Sequence, residues 1–336
     1  MGITIIAEAG VNHNGDPALV MRMIDVAKAC GCDFIKFQTF RTEALVTRQA
    51  EKAAYQKQNT GNADTQFEML RKLELPHEVF REARDYCKKV GIGFLSTPFD
   101  EESAFDLDAL GMEMFKLSSG DITNKPLLQT IASLHKPMIL STGMCTLEEV
   151  RDAVSWVEAC GERRITLLHC TSNYPTPYSD VNMRAMLTLR ETFSYPVGYS
   201  DHTQGITIPI MAASMGATMI EKHFTLDKQM PGPDHKASLD PTELKAMTEA
   251  IRIVEAAMGN GTKAPTTGEL STRIAARKSI VAKRDLPCGT VLTAEDLAMK
   301  RPGTGLSPAE AEQLIGKRLA CSVKADQTLL WAHIEG

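Results

Sequence analysis

Short apolar runs alternate with longer amphipathic segments along the first 257 residues of the chain. The sequence contains eight such runs, at 3–9, 33–38, 92–97, 113–119, 137–142, 165–170, 195–200 and 218–224. Glycines such as Gly31 and Gly91 stand just before the next run, as is typical of the loop between a helix and a buried strand. Eight strand–helix repeats predict an α/β fold, a (β/α)8 TIM barrel.

An open, doubly wound sheet is disfavoured, because GVNHNG at 10–15 does not match the GxGxxG phosphate loop expected after a first strand. The repeat stops near residue 257. Residues 258–276 are rich in Gly, Thr and Pro and are predicted to be a linker. Residues 277–336 contain short strands, turns and two brief helices, which predicts a small α+β domain after the barrel domain at 1–257.

Composition excludes two classes of partner. The net charge of −5 and the pI of about 6.0 give no basic surface for nucleic acid. No apolar run approaches the roughly 20 residues of a membrane helix. The eight cysteines are scattered without a metal or disulfide spacing, which indicates reduced thiols and predicts a cytoplasmic protein.

Polar and ionisable side chains stand at the end of every predicted strand, where TIM barrels place their active sites. These strand-end residues are Glu8, Lys36, Gln38, Ser96, Thr97, Lys116, Ser118, Ser119, Ser141, Thr142, His169, Ser200, Asp201, His202, Glu221 and His223. Each of them alone could be a structural residue at the barrel rim, with its polar group paired in a hydrogen bond. Together they favour a functional site.

His202 and His223 end the last two predicted strands, so their imidazoles can reach one metal ion. Two histidines without cysteine make a poor structural zinc site, which needs four protein ligands. An open site completed by water and substrate oxygens suits Mn²⁺, with Mg²⁺ or Co²⁺ as alternatives.

A second group of residues suits an anionic substrate. Lysine offers a point charge to phosphate, and hydroxyls are neutral donors. The group consists of Lys36, Thr97, Lys116, Ser119, Ser141 and Ser200. Glu8, Asp121 and Glu221 are candidates for proton transfer. Either lysine could instead form a Schiff base, as in an aldolase.

At these same residues the chain resembles the sialic acid synthases, which make nine-carbon nonulosonic acids. The motifs follow in order along the chain: IAEAGVNHNG, FIKFQTF, FLSTPFD, FKLSSGDITN, ILSTGM, LLHCTSNYPTPY, GYSDHTQG, IEKHFTLD, PGPDHKASL and KRPGTG. The tail resembles the antifreeze-like (SAF) domain of that family.

The resemblance implies a metal-dependent transferase that condenses phosphoenolpyruvate (PEP) with an N-acyl amino sugar. The acceptor would be N-acetylmannosamine or a 6-deoxy diacetamido hexose. The products would be N-acetylneuraminate or legionaminate and phosphate, with cleavage of the C–O bond of PEP.

The resemblance also implies residue roles. The metal ligands would be His202 and His223, and the PEP ligands would be Lys36, Thr97, Lys116, Ser119, Ser141 and Ser200. Glu8 and Asp121 would handle the water and its proton, and Gln38, Tyr174 and Asp234 would face the sugar. Arg301 would come from the partner subunit in a homodimer with swapped C-terminal domains and touch the N-acetyl group.

The sequence departs from the family pattern at two positions. Asp121 stands where some members have Glu, so its reach is one methylene shorter. Ser172 stands where some members have Asn, which weakens one substrate contact.

Three alternatives remain at this point. A Schiff-base aldolase would use Lys36 or Lys116 and no metal. A related PEP-condensing enzyme would take an aldose phosphate and need a second anion site. A carbohydrate-binding protein would need neither histidine. Residues 51–70 are expected to form a lid near the sugar, but the sequence does not show which sugar it selects.

Overall fold

Eight parallel strands form the centre of the first of two compact units, which ends at Gly259. The computed structural model describes residues 2–61 and 63–336. The strands are β1 (Thr4–Gly10), β2 (Phe34–Thr39), β3 (Gly93–Pro98), β4 (Phe115–Leu117), β5 (Met138–Ser141), β6 (Ile165–Cys170), β7 (Val197–Asp201) and β8 (Met219–His223). Each predicted apolar run overlaps one of these strands, and the ends differ by at most two residues.

Parallel ladders connect the strands in the order β3-β2-β1-β8-β7-β6-β5-β4, so the first strand pairs with the last. Within the described ranges, no ladder joins β3 to β4, although these two strands lie side by side. The predicted TIM barrel is therefore confirmed, as a nearly closed barrel.

Helices follow the strands around the barrel. They are α1 (Pro17–Ala29), α2 (Thr42–Leu45), α3 (Ala54–Thr60), α4 (Gln66–Leu73), α5 (His77–Val90), α6 (Glu101–Ala109), α7 (Lys125–Ala132), α8 (Leu147–Ala159), α9 (Arg184–Thr192), α10 (Thr207–Ser214) and α11 (Pro241–Met258). Local sequence sets several helix starts: Thr146 and Glu149 form a capping box for α8, and Asp240 and Glu243 form one for α11. None of the described helices is both long and apolar enough to cross a membrane.

The connection from β2 to β3 is the longest in the barrel, because it holds α2, α3 and α4 before the usual helix α5. We call residues 40–76 the lid segment. It has a small apolar cluster of its own around Phe40, Met69 and Leu73, packed with Val11 from the barrel rim. The lid segment is therefore packed against the rim rather than extended into solvent.

The second unit, Asn260–Gly336, has a separate apolar core that includes Ile280, Leu292 and Leu329. Its regular elements are α12 (Glu269–Ala276), β9 (Ser279–Ala282), β10 (Leu297–Lys300) and α13 (Ala311–Leu314), with β9 and β10 antiparallel. Helix α12 occupies the end of the predicted linker. Its N-cap residue is Gly268, and in the turn that leads into it the Glu269 carboxylate accepts the Thr266 backbone N–H.

The turn after β1 buries a histidine, His13, whose side chain is 1% exposed. Its Nδ1 accepts the Gly15 N–H at 3.0 Å, and its Nε2 has no hydrogen-bond partner among the described residues. Burial lowers the pKa of His13 to about 4, because the loss of hydration of the charged ring outweighs its interactions with the Gly10 backbone and Asp16.

We expect this histidine to make the protein less stable in mild acid. Between pH 6.5 and 4 the unfolded chain binds a proton that the folded chain does not, so the free energy of unfolding falls as the pH falls. One such group contributes a slope of about 1.4 kcal/mol per pH unit. Urea unfolding across this range should show a shallower slope for His13→Gln. The matched control His135→Gln, at an exposed position, should keep the wild-type slope.

Candidate active site

A cavity of about 420 Å³ lies at the carboxyl ends of the barrel strands. Most of the residues predicted from the sequence to form a site line this one cavity. They are Glu8, Lys36, Gln38, Thr97, Lys116, Ser119, Ser141, Ser172, Tyr174, Ser200, His202, Glu221 and His223. Alternate residues of each strand face the interior, so strand ends from all sides converge there.

Four buried charged groups form the floor of the cavity. Glu8 and Lys36 are register partners on β1 and β2, and Lys36 Nζ lies 2.7 Å from Glu8 Oε2. Glu221 bridges the two lysines, with an oxygen 3.7 Å from Lys36 Nζ and another 3.5 Å from Lys116 Nζ. All four side chains are nearly inaccessible to solvent. The charges therefore balance one another inside the barrel.

The two carboxylates of the floor titrate differently. Burial raises the pKa of Glu8 to about 7, although Lys36 opposes that shift. Burial would also raise the pKa of Glu221, but the Lys116 and Lys36 ammonium groups outweigh it and lower the pKa to about 2. Glu221 is therefore a fixed anion, whereas Glu8 can gain or lose a proton near neutral pH.

Hydroxyl groups surround this charged floor. Lys36 Nζ donates to Thr97 Oγ1 at 3.1 Å, and Ser200 Oγ donates to Glu221 Oε1 at 2.9 Å. Ser141 Oγ is buried and has no hydrogen-bond partner in the part of the chain that the structure describes. The cavity thus holds a neutral donor without an acceptor beside two ammonium groups, an arrangement that suits an anionic ligand.

Gly143 makes room for two of these hydroxyls. Its N–H donates to Ser119 Oγ at 2.9 Å. A Cβ at this position would lie 2.9 Å from the same oxygen and would also collide with Ser172 Oγ. A glycine is needed here because two hydroxyls approach the backbone at once.

His202 and His223 lie side by side above the floor, with ring centroids 5.4 Å apart. His202 Nδ1 lies 2.7 Å from the Thr171 carbonyl oxygen, so that nitrogen carries a proton, and Nε2 has a lone pair when the ring is neutral. His223 Nδ1 is buried without a partner among residues 2–61 and 63–336. Burial lowers the pKa of His223 well below its usual range, so the ring is neutral. Tyr174 packs against both rings.

A buried ion pair lies between the histidine-bearing strands, on residues that alternate with the cavity-lining ones. Asp201 on β7 and Lys222 on β8 are register partners, and both side chains are fully buried. Lys222 Nζ donates to Asp201 and to the Thr203 carbonyl oxygen, and Tyr199 Oη donates to Asp201 at 2.8 Å. The Thr203 N–H and hydroxyl complete the shell of Asp201.

Three of the residues to which the sequence assigns a role in catalysis or substrate binding do not line this cavity. Asp121 is in the turn after β4, where Ser118 Oγ donates to its carboxylate at 2.6 Å, and it does not line the cavity. Asp234 lines a neighbouring cavity, described below. Arg301 is in the second unit, directly after β10. The roles of these residues remain predictions.

The structure also brings residues to the cavity that the sequence did not single out. Tyr55 stacks on Tyr174 with ring centroids 5.0 Å apart, and Gln66 comes from the start of α4. Cys170 lines the cavity, whereas its neighbour His169, a predicted strand-end residue, instead binds the Val181 carbonyl oxygen. Counting every second residue inward along β6 would have identified Cys170. No local pattern identifies Tyr55 or Gln66.

The chain matches the NeuB family model over residues 23–263 and the SAF domain model over residues 277–335. It is 50% identical to the N,N'-diacetyllegionaminic acid synthase of Legionella pneumophila, over 98% of this chain and 94% of the relative. It is 47% identical to the synthase of the same name from Campylobacter jejuni, over 97% of this chain and 98% of the relative.

A solved structure with a similar fold is that of the N-acetylneuraminic acid synthetase from Leptospira borgpetersenii in complex with citrate. The two proteins are 33% identical and superpose with a TM-score of 0.72, covering 81% of this chain and 90% of the other. The chain therefore belongs to the NeuB family. It is an enzyme of the sialic acid synthase type with a C-terminal SAF domain.

Proposed function

We propose that the protein condenses PEP with an N-acyl amino hexose, releasing phosphate and a nine-carbon keto sugar acid of the legionaminate or neuraminate type. The observation that carries this proposal is the cavity itself, where two lysines, two glutamates and several hydroxyls lie beside a pair of histidines. Relatives of high identity named as N,N'-diacetyllegionaminic acid synthases support a 6-deoxy diacetamido hexose as the acceptor.

PEP would bind at the charged floor. Lys36 and Lys116 neutralise its phosphate and carboxylate, and Thr97, Ser141 and Ser200 offer neutral donors. In the free enzyme the negative charges of Glu8 and Glu221 balance the positive charges of the lysines. A bound anion would supply part of that negative charge. Preorganised cations in a site shielded from water stabilise developing negative charge more strongly than they would in bulk solvent.

The histidine pair fits a divalent metal. His202 keeps a free Nε2 and His223 has an orphaned Nδ1, so both rings offer lone pairs. No cluster of three or more His, Cys, Asp or Glu side chains in the described ranges could hold a metal, so water and substrate would supply the remaining ligands. The metal, Mn²⁺ in our proposal, would supply Lewis acidity to the acceptor's carbonyl oxygen when bound.

The carbon–carbon bond would form between C3 of PEP and the aldehyde carbon of the acceptor. This leaves an electron-deficient C2, to which water adds, and the resulting intermediate loses phosphate by cleavage of the C2–O bond. Glu8 is placed to take the proton of the attacking water, because its pKa near 7 allows both protonation states. Lys36 stays charged beside it, since Glu221 and Glu8 outweigh desolvation and raise its pKa.

Isotope-labelled PEP tests the reaction class. With ¹⁸O in the bridging oxygen, we expect the label in the released phosphate, since the C–O bond breaks and the P–O bond does not. Phosphate release should require an N-acyl amino hexose and give a product with the mass of the corresponding keto sugar acid. Inactivation by borohydride in the presence of a keto acid substrate such as pyruvate, together with full activity in EDTA, would instead indicate a Schiff-base aldolase using Lys116 or Lys36.

We expect substitution of either histidine to remove metal binding. His202→Gln and His223→Gln should weaken Mn²⁺ binding by more than about 100-fold, since even second-shell changes cost 10–100-fold. Mn²⁺ titration by electron paramagnetic resonance measures this without turnover. His169→Gln on the neighbouring strand is the matched control, because His169 binds the Val181 carbonyl oxygen instead. Unchanged Mn²⁺ affinity in both site variants would overturn the ligand assignment.

We further propose a homodimer in which Arg301 of each C-terminal domain serves the partner subunit's sugar site. Arg301→Ala should then raise KM for the acceptor much more than KM for PEP. The control Arg318→Ala removes an exposed arginine of the same unit.

A subunit complementation experiment distinguishes a dimer with swapped C-terminal domains (tails) from one in which each tail stays with its own barrel. Dimers that pair a His202→Gln subunit with an Arg301→Ala subunit have one intact site if the tails are swapped. Such dimers should then recover about half of the wild-type activity. If each tail serves its own barrel, the mixed dimers contain no intact site, and their activity at low acceptor concentration does not exceed that of the Arg301→Ala enzyme.

A further inference from the structure

A second cavity of about 270 Å³ adjoins the candidate active site. We call it the lid chamber. The two cavities share the side chains Gln38, Tyr55, Gln66, Phe99, Tyr174 and His223. A molecule held above the charged floor can therefore extend into the lid chamber beside His223.

One wall of the lid chamber is apolar. It is built from the lid segment, chiefly Leu45, Leu70 and Leu73, together with Val11 from the barrel rim. These residues belong to the small apolar cluster of the lid and not to the barrel core. An engineered cavity of about 150 Å³ with apolar walls can already hold a benzene-sized ligand, so the lid chamber is large enough for a substituent.

The lid chamber is also lined by an unsatisfied acceptor. Asp234 is 7% exposed, and its Oδ1 is buried with no hydrogen-bond partner within the described residues. A buried acceptor without a donor costs free energy, which a bound N–H or O–H group would recover. The lid segment is also tied to this part of the chain, because Asn59 Nδ2 donates to the Pro233 carbonyl oxygen at 2.6 Å.

The lid chamber is unsuited to phosphate. None of the described residues that line it is lysine or arginine, and Asp234 would repel an anion. The nearby Lys52 is held by Asp64 and Thr60 within the lid segment. An acceptor with a phosphate at this end would lack the cation that phosphate binding needs.

We propose that the lid chamber is the subsite for an acetamido group of the acceptor sugar, a reading that rests on the proposed function. An acetamido group combines the two features that the walls require. Its N–H donates to Asp234 Oδ1, and its methyl group packs against Leu70 and Leu45. Asp234 and Leu70 are then specificity-determining residues of the acceptor site.

Varying the size of the acyl group on the acceptor tests whether this group lies in the lid chamber. Acceptors with N-formyl, N-acetyl and N-propanoyl groups are compared on two scaffolds, with the change at C2 of mannosamine or at C4 of 2,4-diamino-2,4,6-trideoxymannose. Leu70→Phe should move the preference toward the smaller acyl group, and Leu70→Ala toward the larger. A methylene in an apolar pocket changes kcat/KM by about 10–200-fold, so each shift should be at least tenfold. KM for PEP should not change.

The control is Ile253→Phe, which adds the same ring on the exposed face of α11. If Leu70→Phe does not fold, Leu45→Phe replaces it, because Leu45 is also half-buried in the lid chamber wall. An unchanged acyl preference on both scaffolds would refute the subsite.

Calorimetric binding of the same acceptors without PEP separates the two proposals. If no acceptor supports phosphate release but binding still depends on acyl size through Leu70, the proposed function fails and the subsite stands. If phosphate is released but no acyl dependence is seen, the subsite fails and the function stands. Preference for N-acetylmannosamine 6-phosphate over the uncharged sugar would also count against the subsite.

Discussion

The ion pair between Asp201 and Lys222 fixes how the two histidine-bearing strands lie against each other. The two residues are register partners, and each stands next to a histidine in the sequence. A slip of one residue between strands turns every side chain to the opposite face, so it would carry a histidine out of the cavity. It would also leave two buried charges unpaired, a loss of several kcal/mol. A buried pair adds little net stability over apolar residues, so its value here lies in specifying the register.

The charged floor of the cavity depends on that register. Its two glutamates and two lysines neutralise one another only when all four lie in place. Glu221 compensates both lysines, and the same residue is the register partner of Ser200 on β7. Within this preorganised floor, Glu8 has a pKa of about 7. An incoming anion therefore meets cations already held in place, and proton uptake by Glu8 can compensate part of the change in charge. The same four side chains thus balance charge inside the barrel and, in the proposed reaction, bind the anion and transfer a proton.

Much of this arrangement follows from the sequence. The eight apolar runs predict the strands, because buried parallel strands are nearly continuously apolar, and strand ends must converge in a barrel. On β6 the sequence did not show which residues face the barrel interior. His169 was selected there because it carries an imidazole, but it is Cys170 that lines the cavity. Tyr55 was also missed, since it reaches the site only through the tertiary packing of the lid segment. The linker prediction overlooked α12, because its N-cap residue, Gly268, has no capping side chain and lies within a Gly- and Thr-rich stretch.

The lid segment is a single contiguous insertion, whereas the charged floor draws residues from many strands. These two parts of the site can therefore diverge at different rates. A change of floor chemistry needs coordinated substitutions at distant points of the chain, each constrained by the barrel. A change in the wall of the neighbouring chamber needs only substitutions, insertions or recombination within one stretch of about 35 residues, a type of surface segment that tolerates variation. The architecture thus allows a different sugar to be accommodated without a change to the reaction centre.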